Sequence, residues 1–120
     1  MKTELEGFRV KSDQHAKAHE WLNFLTVNKA AFLETLPAER MMVESVFSVN
    51  IGDDLYLCWY SIQGDNPRPV EDSENDLDRK HVAYWEACID ESVPSLKFQH
   101  AVDYIPQTLV TEMTQLYPDA

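Results

Sequence analysis

The segments of this chain alternate in an order that admits few folds: strand, long helix, two strands in a hairpin, helix, strand. An extended run covers Lys2 to Val10, and an amphipathic stretch runs from Ser12 to about Leu36. Met41 to Ile51 and Leu55 to Gln63 read as strands, separated only by Gly52-Asp53-Asp54. A second helical stretch spans Ser73 to about Ser92, and Lys97 to Ile105 reads as a last strand. A βαββαβ order of this kind builds an α+β domain, a four-stranded antiparallel sheet with its helices on one face. The other face then needs a cover, either a partner or a ligand.

Local signals refine the segments. The first helix is expected to open with Ser12 or Asp13 as its N-cap. Ala18, Trp21, Leu22, Leu25, Phe32 and Leu36 recur at helical spacing and mark one buried stripe. Asn28-Lys29 interrupts the stripe, which predicts a kink or a break into two helices, and Pro37 ends the segment. In the second helix Leu77, His81, Tyr84, Trp85 and Cys88 form the inward stripe, with Ser73-Glu74-Asn75-Asp76 as a capping box. Residues 64–72, with two prolines, a glycine and several acids, read as a loop of the kind that forms lids or binding segments. The domain is expected over residues 1–106. Residues 107–120 then form a C-terminal extension, where Leu109, Val110, Met113 and Leu116 at helical spacing predict a short helix.

The hairpin's register follows from its turn. A two- or four-residue turn makes paired positions sum to an odd number, so even positions of one strand share a face with odd positions of the other. One face then carries Met41, Val43, Ser45, Phe47, Val49, Ile51, Tyr56, Cys58, Tyr60 and Ile62. This more apolar set is expected to pack on the helices. The second, mixed face carries Met42, Glu44, Val46, Ser48, Asn50, Leu57, Trp59, Ser61 and Gln63, and is expected to pair two subunits. The topology is that of a ferredoxin-like protomer.

Charge and composition exclude several classes. Among 120 residues, 21 acids against 10 bases leave a net charge of −11, which repels a phosphate backbone, so no nucleic-acid partner is expected. No apolar run is long enough to cross a bilayer, and Met-Lys-Thr-Glu-Leu-Glu lacks the regions of a signal peptide, so no membrane association is expected. Cys58 and Cys88 are too few for a disulfide scaffold. Both read as small buried hydrophobes in the sheet–helix interface of a cytoplasmic, acidic protein. Phosphate-binding glycine loops, G-x-S-x-G, H-E-x-x-H and C-x-x-C pairs are missing, and no cofactor is expected.

The remaining chemistry rests on a few side chains. His81 stands on an apolar helical stripe beside Tyr84 and Trp85, where an imidazole serves either as a general base or as a hydrogen-bonded core-edge residue. Glu44 lies mid-strand on the mixed face. A charge there costs several kcal/mol unless paired or solvated, so it is either an ion-pair partner of Arg9 or a pocket carboxylate with a raised pKa. Trp59 and Ser61 share that face, while Tyr60 points away. Glu44, Trp59, Ser61, His81, Tyr84 and Trp85 are therefore the expected pocket, with His81 and Glu44 as candidate bases. The same aromatics equally suit a dimer interface. His15 and His19, four apart, and Asp78 with His81 are weak metal pairs lacking a third ligand, so no metal site is expected.

The strand pieces Phe8-Arg9-Val10-Lys11, Met42-Val43-Glu44-Ser45 and Tyr56-Leu57-Cys58-Trp59-Tyr60-Ser61 resemble the dimeric α/β-barrel superfamily. So do Asp78-Arg79-Lys80-His81 and Tyr84-Trp85-Glu86-Ala87-Cys88-Ile89-Asp90 on the second helix. Over roughly residues 1 to 106 the combination closely resembles a family of small bacterial proteins of unknown function. The resemblance implies a homodimer of ferredoxin-like protomers packed sheet to sheet around a cavity; the pocket residues named above lead to the expectation of a small apolar or aromatic ligand in it. The wider superfamily includes cofactor-free monooxygenases and isomerases, but none of their motifs occurs here and no catalytic residue is carried over. The alternatives are a cofactor-free monooxygenase- or isomerase-like enzyme using His81 or Glu44 as base, and a non-catalytic dimeric interaction module. Acylphosphatases share the topology, yet their glycine-rich phosphate loop is missing.

Overall fold

The computed structural model describes residues 1–67 and 75–117. Along them run β1 (Lys2–Arg9), α1 (His15–Val27), α2 (Lys29–Leu33), α3 (Leu36–Glu39), β2 (Met41–Ile51), β3 (Asp54–Gln63), α4 (Asp76–Cys88), β4 (Leu96–Lys97) and α5 (Gln107–Thr114). The four strands form one sheet in the order β2-β3-β1-β4, and every neighbouring pair is antiparallel. Among the described residues no helix is long and apolar enough to cross a membrane.

The β2–β3 register carries the odd sum expected of a short turn, because Ile51 pairs with Asp54 across Gly52-Asp53. Gly52 takes φ +62°, which tight primed hairpin turns require at their first position. Glu44 faces Ser61 and Val46 faces Trp59, as the odd sum demands. A register shift between Met41 and Val43 then pairs Met41 with Gln63, moving Met41 onto the mixed face.

Which face meets the helices is a correction. Leu55 and Leu57 of β3 join Val10, Ala18, Trp21, Cys88 and Ile89 in the core, with Phe8, Trp59, Tyr84 and Trp85 packed against it. The mixed face is thus the one that the protein's own helices pack on. The cause lies in β1. Its register places Phe8 opposite Leu57 and Glu6 opposite Trp59, while Gly7 and Arg9 fall on the other face. Phe8, extended by Val10 (bonded to Leu55 O at 2.8 Å), tips the burial balance that β2 and β3 alone do not decide. The apolar set of β2 stays open: Phe47 is 57 % exposed, Val49 43 % and Ile51 51 %. Cys58 is buried on that same open side beneath β1, where a Cβ on Gly7 would meet its sulfur at 3.0 Å; only Cys88 enters the sheet–helix interface.

The helices depart from expectation at their ends. The first stretch breaks at Asn28, whose Nδ2 donates to Phe24 O at 2.9 Å. Gln14, not Ser12 or Asp13, is the N-cap of α1. Pro37 sits inside the first turn of α3, where its missing N–H costs nothing, and Arg40 in the left-handed region (φ 59°) ends that helix. Asn75 caps α4, its Oδ1 accepting from Leu77 N at 2.8 Å; the Ser73 end of the expected capping box and residues 68–72 of the expected loop lie outside the described residues. α4 stops at Cys88, and Lys11 N to Cys88 O and Asp90 N to Arg9 O, at 2.8 and 2.9 Å, tie its end to β1.

The last strand is far shorter than Lys97–Ile105. After Lys97 only Phe98 N to Leu5 O, at 3.3 Å, continues toward β1. Beyond it an arm runs over residues 98–105, with Asp103 accepting from Thr3 Oγ1 at 2.8 Å and pairing with His100 at 2.9 Å. Phe98, Val102 and Tyr104 lie exposed along the arm, Tyr104 at 92 %. Alternation alone predicts a strand there, but no ladder partner accompanies it.

Candidate functional site

A cleft of about 620 Å³ opens between the mixed sheet face and the helices. Its position follows from the break at Asn28. α1 packs down through Ala18 and Trp21, whereas α2 and α3 bury no residue and stand as a rim over β2. The space beneath the rim is lined by Leu25, Phe32 and Leu36 above, Val46, Trp59 and Phe8 below, and Asp78, His81 and Trp85 of α4 at the side.

Five of the six expected pocket residues, Glu44, Trp59, Ser61, His81 and Trp85, line this one cleft. Tyr84 does not. Its ring stacks on Trp21 (5° between planes, 6.2 Å between centroids), with the Lys17 ammonium 5.3 Å from the ring centre, which holds it on the outer side of the core. The floor is an aromatic group: Trp59 lies 5.3 Å from Trp21 and 5.5 Å from Trp85, and Phe8 4.5 Å from Trp85. Ser61 Oγ accepts from Gln63 Nε2 at 3.0 Å, and both side chains are buried.

His81 is held by a bond that decides its chemistry. The indole Nε1–H of Trp21, a donor only, reaches His81 Nδ1 at 3.0 Å. Nδ1 is therefore the bare nitrogen, and the neutral ring carries its proton on Nε2. A general base needs an unoccupied lone pair aimed at the substrate; that of His81 is spent on Trp21. The ring is suited to donate a hydrogen bond, and the base role expected for it does not fit this geometry.

Glu44 is different. It makes no pair with Arg9, whose guanidinium lies on the opposite face, 3.1 Å from Asp54. Protein crowding around Glu44 raises its pKa, and the negative charge of Asp78 raises it further. The side chain still keeps water-accessible surface inside the open cleft, so its desolvation is incomplete. Its carboxyl holds its proton to higher pH than an ordinary glutamate does, and it is reachable from solvent.

Asp78, weighed in the sequence only as a weak metal pair with His81, was not among the expected pocket residues. It is only 3 % exposed, lines the cleft, and its Oδ1 has no hydrogen-bond partner among the described residues. Spacing offered a signal: 78, 81, 82 and 85 form one helical stripe that enters the cleft whole. His15 and His19 belong to no metal-holding group, since no cluster of three or more His, Cys, Asp or Glu side chains is arranged for an ion among the described residues.

Comparison with known proteins adds family membership. Residues 1–111 match the model of a family of unknown function, DUF6176, and the chain belongs to that family. No curated protein and no solved structure matches it.

Proposed function

We propose that this member of a family of unknown function binds a small apolar or aromatic molecule in the cleft between its sheet and helices. The observation that carries the reading is the cleft itself: about 620 Å³, walled by Phe8, Phe32, Trp59 and Trp85, with a few polar groups converging from β2, β3 and α4. That volume and composition match small-molecule sites, in which apolar walls supply affinity and sparse polar groups set orientation. The test is titration with toluene, followed by amide NMR. Saturable shifts centred on Val46, Trp59 and Trp85 are expected, and Val46→Trp, which fills the cleft, should abolish them. Absence of saturable shifts, or shifts mapping elsewhere, overturns the reading.

Chemistry in the cleft is a second reading, favoured by Glu44. A solvent-reachable carboxyl with a raised pKa, opposite Ser61, is placed to take a proton from a bound molecule. In this reading Glu44 is the base.

The strand order and the single helix-covered face support a ferredoxin-like protomer, and the open face supports a homodimer in the manner of a dimeric α/β barrel. Exposed apolar side chains lie at both ends of the sheet, Phe47 and Ile51 on the β2 edge and Val102 and Tyr104 on the arm beyond β4. A two-fold axis through the open face lays each arm across the partner's β2, an isologous contact. The interaction-module alternative needs only this contact and no ligand. The two free thiols support a reducing, cytoplasmic setting.

A further inference from the structure

We infer that the ligand of the cleft is an organic cation, an amine or quaternary ammonium carried on an apolar body; this rests on the binding reading above and names its ligand class. The cleft is bordered by seven carboxyl side chains and, among the described residues, a single lysine, Lys29. An acidic lining is common on a chain of net charge −11, and alone it points to nothing. Asp78 is the independent observation. The residue is 3 % exposed, lines the cleft, and holds a buried Oδ1 that has no hydrogen-bond partner among the described residues. A carboxylate desolvated to that degree is tolerated when a counter-charge arrives beside it. No cationic side chain of the described residues forms an ion pair with it. Glu44 faces the same space, and the two charges act on each other, so one positive group between them relieves both.

The rest of the wall decides what kind of cation fits. A metal ion requires three or more converging ligands of the right type, and no such cluster occurs among the described residues. The cleft is far larger than an ion, and Trp59 and Trp85 line it. Indole rings attract alkylammonium groups through their quadrupole, most strongly where water is excluded. An anion is disfavoured by every carboxylate in the lining.

The experiment compares three probes of similar shape by calorimetry and amide NMR: benzyltrimethylammonium, its neutral carbon isostere neopentylbenzene, and phenylacetate. The cation is expected to bind roughly tenfold or more tighter than the isostere, and phenylacetate weakest. Asp78→Asn, near-isosteric and without the charge, should weaken the cation about fivefold or more while leaving the isostere nearly unchanged. Glu44→Gln, on the accessible side of the cleft, should do the same and covers the case in which Asp78→Asn misfolds. Equal binding of cation and isostere, or a cation preference untouched by both substitutions, overturns the inference while the binding reading stands. Failure of all three probes to shift Val46 and Trp59 overturns both.

Discussion

Replacing Asp78 by Asn should make the protein more stable, because the native residue holds an unpaired carboxylate in a desolvated position. The magnitude can be worked from the structure. A buried polar group without a partner costs about 1–3 kcal/mol, and more when charged; Asn keeps the polar group and removes the charge, so what it recovers is the excess that the charge adds. Against this, Asp78 lies in the first turn of α4, where the helix dipole favours a negative charge by about 0.3–1 kcal/mol. Removing the charge forfeits that credit and also relieves repulsion with Glu44. The balance is a gain of about 1–2 kcal/mol for Asp78→Asn at neutral pH. In urea, with a slope of about 1.5–2 kcal/mol per molar for a chain of this size, the midpoint should rise by about 0.5–1 M without a change in slope. Both proteins must be compared at one concentration, since association adds to apparent stability. A loss of stability of about 1 kcal/mol or more would refute the reasoning. It would mean that Asp78 serves a structural partner, and with that its role in the cleft would lapse.

Trp21→Phe should cost about 2–3 kcal/mol, part from the indole volume lost in a fully buried site and part from the acceptor abandoned on His81. Nitrogen-15 shifts of His81 should report the Nε2–H tautomer in the wild type; an Nδ1–H tautomer would contradict the bond. For Glu44, the folded pKa lies above its ordinary value of 4.5, so the folded state holds the proton over a window that opens there and extends upward. Stability from this group is therefore fully present below that window and is lost as pH rises through it. Relative to Glu44→Gln, the wild type should weaken with rising pH, and a flat or opposite difference in urea midpoints excludes the raised pKa. Phe47→Asp on the open face should convert a dimer to a monomer in light-scattering chromatography with the protomer fold intact; a wild-type protein that is already a stable monomer at low concentration defeats the dimer.

The sheet was legible where a local constraint carried it. Gly52 at a short turn sets the parity of β2 against β3, and with it the pairing of Glu44 with Ser61 and the company of Trp59. Parity groups side chains by face but does not say which face meets the helices. That choice depended on Phe8 and Val10 of β1, whose weight is hidden in the sequence by the longer apolar stripe on β2, a stripe that stays exposed. Lys97–Ile105 failed for a related reason: alternating apolar residues reflect burial, and exposed Val102 and Tyr104 carry the same pattern without a ladder. Asp78 was hidden because acids in the first turn of a helix ordinarily serve its dipole. Its burial depends on the rim of α2 and α3, which the periodicity of a single continuous helix does not reveal.

The packed core and the cleft occupy different ends of one sheet face. Val10, Leu57, Trp21 and Cys88, the fully buried side chains, gather where α1 and α4 close on β1 and β3. Toward β2 the same face loses that cover, and polar Glu44 and Ser61 take the positions a core would fill with aliphatic groups. The two ends are not independent. Trp21 belongs to the core yet orients His81 in the cleft, and its neighbours Trp59 and Trp85 are at once core wall and cleft floor. A molecule seated on those rings extends the core across the gap beneath α2 and α3, so its binding energy adds directly to folding stability. The helical rim, which holds no fully buried residue, is the part that should tighten most.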